Sequence, residues 1–234
     1  MEIRSKDYIK LDGVSSKTIG LYVDTPPMPP MAQRRYTSWE TEQLGQSQII
    51  DHDYYEDVTI TITCYVFDYG INVNKIYAWI NNSKRLETSV YSQWFYKIKK
   101  INGVTPGYDK KGKYKIDISF VCEPYRYSTD NQLVTITESD TPFEVGGSAN
   151  TRPIYNVYGD GDIKIIVNND IDNALMLYDV DTVVTVDCER MVVHTHGVPM
   201  KSSGKLPFLD AGTNDIEWTG NVKMIEIIKN ERWI

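Results

Sequence analysis

The strongest regularity along the chain is an alternation of period two. Across Val58–Val66, the apolar Val58, Ile60, Ile62, Cys64 and Val66 point one way, and Thr59, Thr61, Thr63 and Tyr65 point the other. That is a strand with one face turned to a core. Lys113–Val121 repeats the pattern, with Tyr114, Ile116, Ile118 and Phe120 inward and Lys113, Lys115, Asp117 and Ser119 outward. Further strands are predicted over 3–11, 18–23, 84–100 (as two), 133–137, 163–167, 182–187, 190–195 and 222–229. The pairs Asn102-Gly103, Pro106-Gly107, Lys111-Gly112 and Gly146-Gly147, together with Gly159-Asp160-Gly161, read as the turns between them. One stretch changes period. Val73, Ile76, Tyr77 and Ile80 fall at helical spacing behind Asn72, a good N-cap, and ahead of Asn81-Asn82. A single short helix is predicted there, about 73–81.

Two segments carry no period. Residues 24–57 open on Pro26-Pro27-Met28-Pro29-Pro30 and continue through Arg34-Arg35-Tyr36-Thr37-Ser38-Trp39. Prolines donate no ladder hydrogen bond, so this stretch is an edge or a projecting arm. Residues 138–151 are rich in Gly, Ser, Thr and Asp, and they are the expected boundary between a domain at 1–140 and a second at 141–234.

Composition supports sheet throughout. Val, Ile and Thr number 64 of the 234 residues, against 14 for Ala and Leu together, so the fold class is all-β. The charge is uneven. Residues 1–137 carry 17 basic and 16 acidic side chains, and residues 138–234 carry 8 and 16. A net charge of −7 argues against nucleic acid as a partner, since phosphate binding rests on neutralisation. No apolar run approaches the ~18 residues of a membrane span, so membrane insertion is not expected. Met1–Asp7 lacks the apolar core of a secretory signal, so synthesis in a cytosol is expected. Cys64, Cys122 and Cys188 are odd in number and far apart. They read as small core hydrophobes rather than a disulfide frame or a zinc site.

Candidate chemistry is sparse. His194 and His196 stand two apart on an expected strand, where both imidazoles share a face and Asp187 or Glu189 supplies a third metal ligand. The competing reading, two solvated strand-end histidines, has the greater weight because no helix-borne pair with a general base accompanies them. Asp51/Asp53 and Asp179/Asp181 pair carboxylates by spacing alone, in a chain with 32 acids. The aromatic cluster Tyr91, Trp94, Phe95, Tyr96 offers either a sugar platform or a core. No nucleophile elbow, phosphate-binding loop or dinucleotide fingerprint occurs. The expectation is a protein without catalytic residues, cofactor or metal. Arg34, Arg35, Tyr36 and Trp39 are the expected oligomer contact, because Arg, Tyr and Trp dominate interface cores.

The order of features resembles the distal tail protein (Dit) family of long, non-contractile-tailed bacteriophages over nearly the whole chain. In the front half the likeness rests on Ile19-Gly20-Leu21-Tyr22-Val23, the proline stretch, Asp53-Tyr54-Tyr55-Glu56-Asp57 leading into the alternating strand, the short helix, and Trp94-Phe95-Tyr96. In the back half it rests on Arg152 to Ile163, Val186-Asp187-Cys188-Glu189 and Leu206 to Ile216. Where the family often carries a Gly-Arg-Asp-Gly turn after the prolines, this chain has Leu44-Gly45-Gln46.

The resemblance implies two β-sandwich-type domains, the first forming a homohexameric ring and the second galectin-like. It further implies a virion protein at the tail tip, synthesised in the bacterial host cytoplasm. Its expected partners are copies of itself, the tail tube protein, the tail-associated lysin or tip fibre protein, and receptor-binding proteins. The alternative is a carbohydrate-binding module for attachment to a host surface; a hydrolase has no constellation to support it.

Overall fold

The computed structural model describes residues 6–25, 27, 28, 30–41, 46–66 and 73–234. Residues 3–5 of the first expected strand, Pro26, Pro29, Leu44, Gly45 and the expected cap Asn72 lie outside the described residues. The chain is predominantly strand and divides into two compact units, Met1–Thr129 with Ile234, and Asp130–Trp233.

The first unit holds β1 (Ile9–Leu11), β2 (Val14–Ser15), β3 (Leu21–Val23), β4 (Arg34–Thr41), β5 (Gln46–Tyr55), β6 (Val58–Val66), α1 (Val73–Asn81), β7 (Arg85–Thr88), β8 (Trp94–Tyr108) and β9 (Tyr114–Ser128). Its main sheet runs β2-β1-β7-β8-β9-β6-β3. The alternation read from β6 is present, with Ile60, Ile62 and Cys64 buried opposite Phe120, Ile118 and Ile116 of β9. On the outer face, Thr63 donates to Asp117 at 2.6 Å, and Lys115 pairs with the same carboxylate at 2.7 Å. Cross-strand polar pairs of this kind hold register on a wet face. Helix α1 buries Ile76 and Ile80 but leaves Tyr77 exposed, so its apolar stripe is narrower than its spacing suggested.

β8 corrects one expectation. Asn102-Gly103 and Pro106-Gly107 are not turns; they lie inside a fifteen-residue strand whose pairing with β9 shifts register at three places. Bulges bend a strand without ending it.

The second unit holds β10 (Leu133–Ile136), β11 (Phe143–Val145), β12 (Ile154–Val167), β13 (Leu175–Asp187), β14 (Val192–Thr195), β15 (Val198–Pro199), β16 (Ser202–Gly204), β17 (Gly212–Asn214) and β18 (Ile216–Ile228). Its seven-stranded sheet runs β10-β18-β12-β13-β14-β15, with β16 on β13, beside a separate β11-β17 pair. Tyr155, Val157, Ile163, Val184, Val186, Ile225 and Ile227 are completely buried in its core. The division therefore falls before Leu133–Ile136, not within 138–151, because that strand pairs with Ile225–Ile228. Moving Asp130 across the seam leaves the first unit at +2 and the second at −9.

Gly159-Asp160-Gly161 is likewise no hairpin turn. It sits in mid-β12, where the ladders to β13 and β18 both shift register. The facing Gly220 adopts φ +103°, and a Cβ there would stand 2.4 Å from the Asp162 carbonyl oxygen. Gly220→Ala should therefore cost about 1–3 kcal/mol in chemical denaturation, from backbone strain and a contact with main chain that cannot move aside.

All three cysteines are free and completely buried. Burial pushes each thiol up to about 12. A thiol whose folded value is raised favours the native state below the ordinary thiol range, and that contribution is lost as pH climbs from there towards about 12. The urea midpoint should thus fall steadily above about pH 9. A thiol reagent at neutral pH should label the chain only after it unfolds.

Candidate assembly surface of the first unit

β4 and β5 pair only with each other among the described residues, forming a two-stranded ribbon apart from the main sheet. Its base is closed by a 2.8 Å hydrogen bond from the Glu56 N–H to the Gln33 carbonyl. Opposed residues of an antiparallel pair share a face. Tyr36 faces Asp51 and Ser38 faces Ile49 on one side; Thr37 faces Ile50 and Trp39 faces Gln48 on the other. Tyr36, Trp39, Ile49, Ile50 and Tyr54 are all at least 42% exposed. Both faces of the ribbon thus present large apolar side chains to solvent. An isolated hairpin of this kind is marginal in water, which makes this ribbon the first unit's candidate for an interaction surface.

Polar contacts hold the ribbon's shape. Arg34 donates to Asp51 at 2.9 Å and also pairs with Asp53. The Asp53 hydrogen bond is the largest influence holding the guanidinium above its ordinary value, with the Asp51 charge adding to it. Asp53 itself lies in the left-handed region at φ 55°, its N–H donating to Asp51 at 3.0 Å, where the ladder shifts register between Arg34 and Tyr36. On the other face, Arg35 pairs with Glu56 at 3.6 Å and stands 6.0 Å from the Tyr54 ring centroid. The Thr37 hydroxyl and His52 Nε2 are 2.7 Å apart. The four residues singled out from sequence, Arg34, Arg35, Tyr36 and Trp39, therefore lie together on β4. Ile49, Ile50 and Tyr54 on β5 complete the surface and were missed, although the Ile49-Ile50 doublet in a polar stretch was a usable signal.

A second apolar feature of this unit is a groove of about 510 Å³ lined by Tyr77, Ala78, Ile80 and Asn81 of α1 and by Ile101 and Val104 of β8.

The other sequence candidates separate. His194 lies one residue before the end of β14, its Nδ1 accepting the Gly197 N–H at 3.2 Å, while His196 lies in the following turn at φ 49°. The chain reverses between them, so the two imidazoles do not share a strand face. The Asp187 carboxylate is spent on that strand's entry turn, accepting from the Glu189 and Arg190 N–H groups at 3.0 and 2.9 Å. Asp140, Asp215 and Glu217 bring three carboxylates within 4.8 Å of one another, the first exposed and the other two half-buried; an acidic cluster of this kind does not by itself specify an ion. The aromatic cluster is packed rather than open. Phe95 stacks on Tyr127 at 5.5 Å beneath Arg85, Trp94 lies under Arg126, and buried Tyr96 is pushed up to about 12. In the second unit a cleft of about 780 Å³ has Leu175 and Val193 in its lining, together with Asp170, Lys205, Phe208 and Asp210.

No family model matches the chain, and no curated protein matches it. Among solved structures it is similar to the Dit protein of SPP1, presented there as a paradigm of the hub adsorption apparatus in phages infecting Gram-positive bacteria. The TM-score is 0.76 at 12% identity, over 97% of this chain and 99% of that one. The likeness spans both units and establishes a fold of the Dit type.

Proposed function

We propose that this protein belongs to the Dit family and is a structural component of a phage tail tip. In this reading six copies join through the first unit into a ring. The ring links the tail tube protein to the lysin or tip fibre and to receptor-binding proteins. The observation that carries it is the shared fold over almost the full length of both chains. The ribbon supports it independently, because apolar residues exposed on both faces need a partner to cover them. Arg34, Arg35, Tyr36 and Trp39 then belong to the contact between neighbours. Charge is consistent with this arrangement: six first units gather about +12 and six second units about −54, so the near-neutral unit suits close packing and the acidic one a solvated rim.

The protein acts here by binding alone, with no catalytic step. Electron microscopy of the purified full chain, alone and mixed with its neighbouring tail proteins, tests the reading. Six-fold rings are the expected result. A chain that stays monomeric in every mixture would sink the proposal. Glycan binding by that monomer, lost on Phe208→Ala in the cleft of the second unit, would favour the carbohydrate-binding alternative.

A further inference from the structure

We infer that Asn102 is a site of spontaneous modification, where the side-chain amide closes on the following main-chain nitrogen and leaves an aspartate or isoaspartate in β8. Asn102-Gly103 is the one Asn-Gly pair of the chain, and glycine puts no Cβ in the way of that closure. A regular ladder would oppose it, because hydrogen bonds fix the backbone on both sides of the reacting bond. The ladder is interrupted at this residue. Ile101 pairs with Phe120 and Gly103 with the adjoining Ser119, so Asn102 has no residue opposite it and is the extra residue of a bulge. Asn102 is exposed, and its side chain has no hydrogen-bond partner among the described residues. A Cβ on Gly103 would meet nothing within 4 Å, so the closing ring has room.

Other asparagines are held back. The Ser83 N–H after Asn82 donates to the Ile80 carbonyl at 3.2 Å, and the Asp170 N–H after Asn169 donates to the Val167 carbonyl at 3.0 Å. The Asp215 N–H after Asn214 donates to Asn168 Oδ1 at 3.1 Å. At Asn102 the reaction needs only solvent. Hydroxide takes the Gly103 N–H proton, the nitrogen bonds to Asn102 Cγ, and the Cγ–Nδ2 bond breaks, releasing ammonia with a proton from water. Water then opens the cyclic imide. Attack at Cγ restores the main chain with an aspartate, and attack at the main-chain carbonyl leaves an isoaspartate whose main chain runs through Cβ and Cγ. Amide and water become acid and ammonia, and nothing is oxidised. Ile101 before it and Val104 after it line the α1–β8 groove. Residues 73–104 carry six basic side chains and one acidic, so the new carboxylate enters a basic surface. The isoaspartyl form also lengthens β8 by a single carbon where the strand makes the groove wall.

The test ages the full folded chain in buffer and maps it with trypsin. Cleavage after Lys100 and Lys110 gives the peptide Ile101–Lys110, in which Asn102 is the sole asparagine. That peptide should convert to two products of equal mass, one isoaspartyl, at a rate proportional to hydroxide concentration. Each should carry one heavy oxygen when the chain is aged in water enriched in that isotope. Gly103→Ala, for which the space exists, and Asn102→Gln, which would have to close a larger ring, should both lose the conversion. A reaction that required global unfolding would run about 10³-fold or more slower than in urea. The folded chain should instead stay within about a hundredfold of the urea rate, as a local opening allows. A peptide that stays intact in the folded chain while converting in urea would overturn the proposal. Conversion of Gly103→Ala at the parent's rate would overturn it as well.

Discussion

Excising residues 36–53 and joining Arg35 to Tyr54 through two glycines should leave a folded, monomeric protein that no longer assembles. The ribbon can be removed because its base is already closed: Glu56 bonds to Gln33 across it, and the ladder to the main sheet begins only at Val58. Tyr55, which packs against the core of the first unit, stays in place. Among its described residues the excised stretch contributes exposed side chains and a ribbon paired only with itself, so the cost to folding should be within about 1 kcal/mol. The cost to association should be nearly complete, since an interface that loses its aromatic anchor loses most of its binding energy. Thermal melting measures the first effect and light scattering over a concentration series the second. A shortened chain that assembles like the parent would show that the ribbon is ornamental.

Phe120→Ala should do the opposite. Phe120 is completely buried in β9, opposite Ile60, among Ile62, Cys64, Ile116 and Ile118. Removing an aromatic ring from such a site destabilises by about 3–5 kcal/mol, the sum of lost transfer energy and the cavity left behind. A domain's total stability is only about 5–15 kcal/mol, so a urea titration should show the first unit unfolding at far lower denaturant. Ile50→Ala, of similar chemistry but on the exposed ribbon, should move the same transition by no more than about 0.5 kcal/mol. The contrast between the two separates residues that hold the unit from residues that serve contact.

What the sequence disclosed follows from which faces are buried within one chain. Val58–Val66 and Lys113–Val121 were legible because one face of each meets a core and the other meets water. The ribbon is legible as extended but not as a hairpin, because its described side chains between Tyr36 and Tyr54 are exposed on both faces and no alternation is imposed on it. The bends in β8 and β12 were read as turns, since bulges and turns draw on the same glycines and aspartates. Tyr77 was placed inward by its spacing, yet it stands on the groove wall. The groove itself had no signature, because its two walls lie some twenty residues apart and meet only through the fold. His194 and His196 looked paired only under the assumption that the strand continued past Thr195.

The bulge in the second unit also constrains how that unit finds its structure. Hydrophobic alternation penalises odd slips most heavily, and a slip of two along β18 still sets Ile227 in the place of Ile225. Gly220 removes that degeneracy. Sliding β18 by two against β12 would bring Trp218 or Val222 to the place where even a single β-carbon meets the Asp162 carbonyl. A misaligned pairing therefore meets a steric conflict at that one point, and a chain of repetitive strands acquires a unique zero for its ruler.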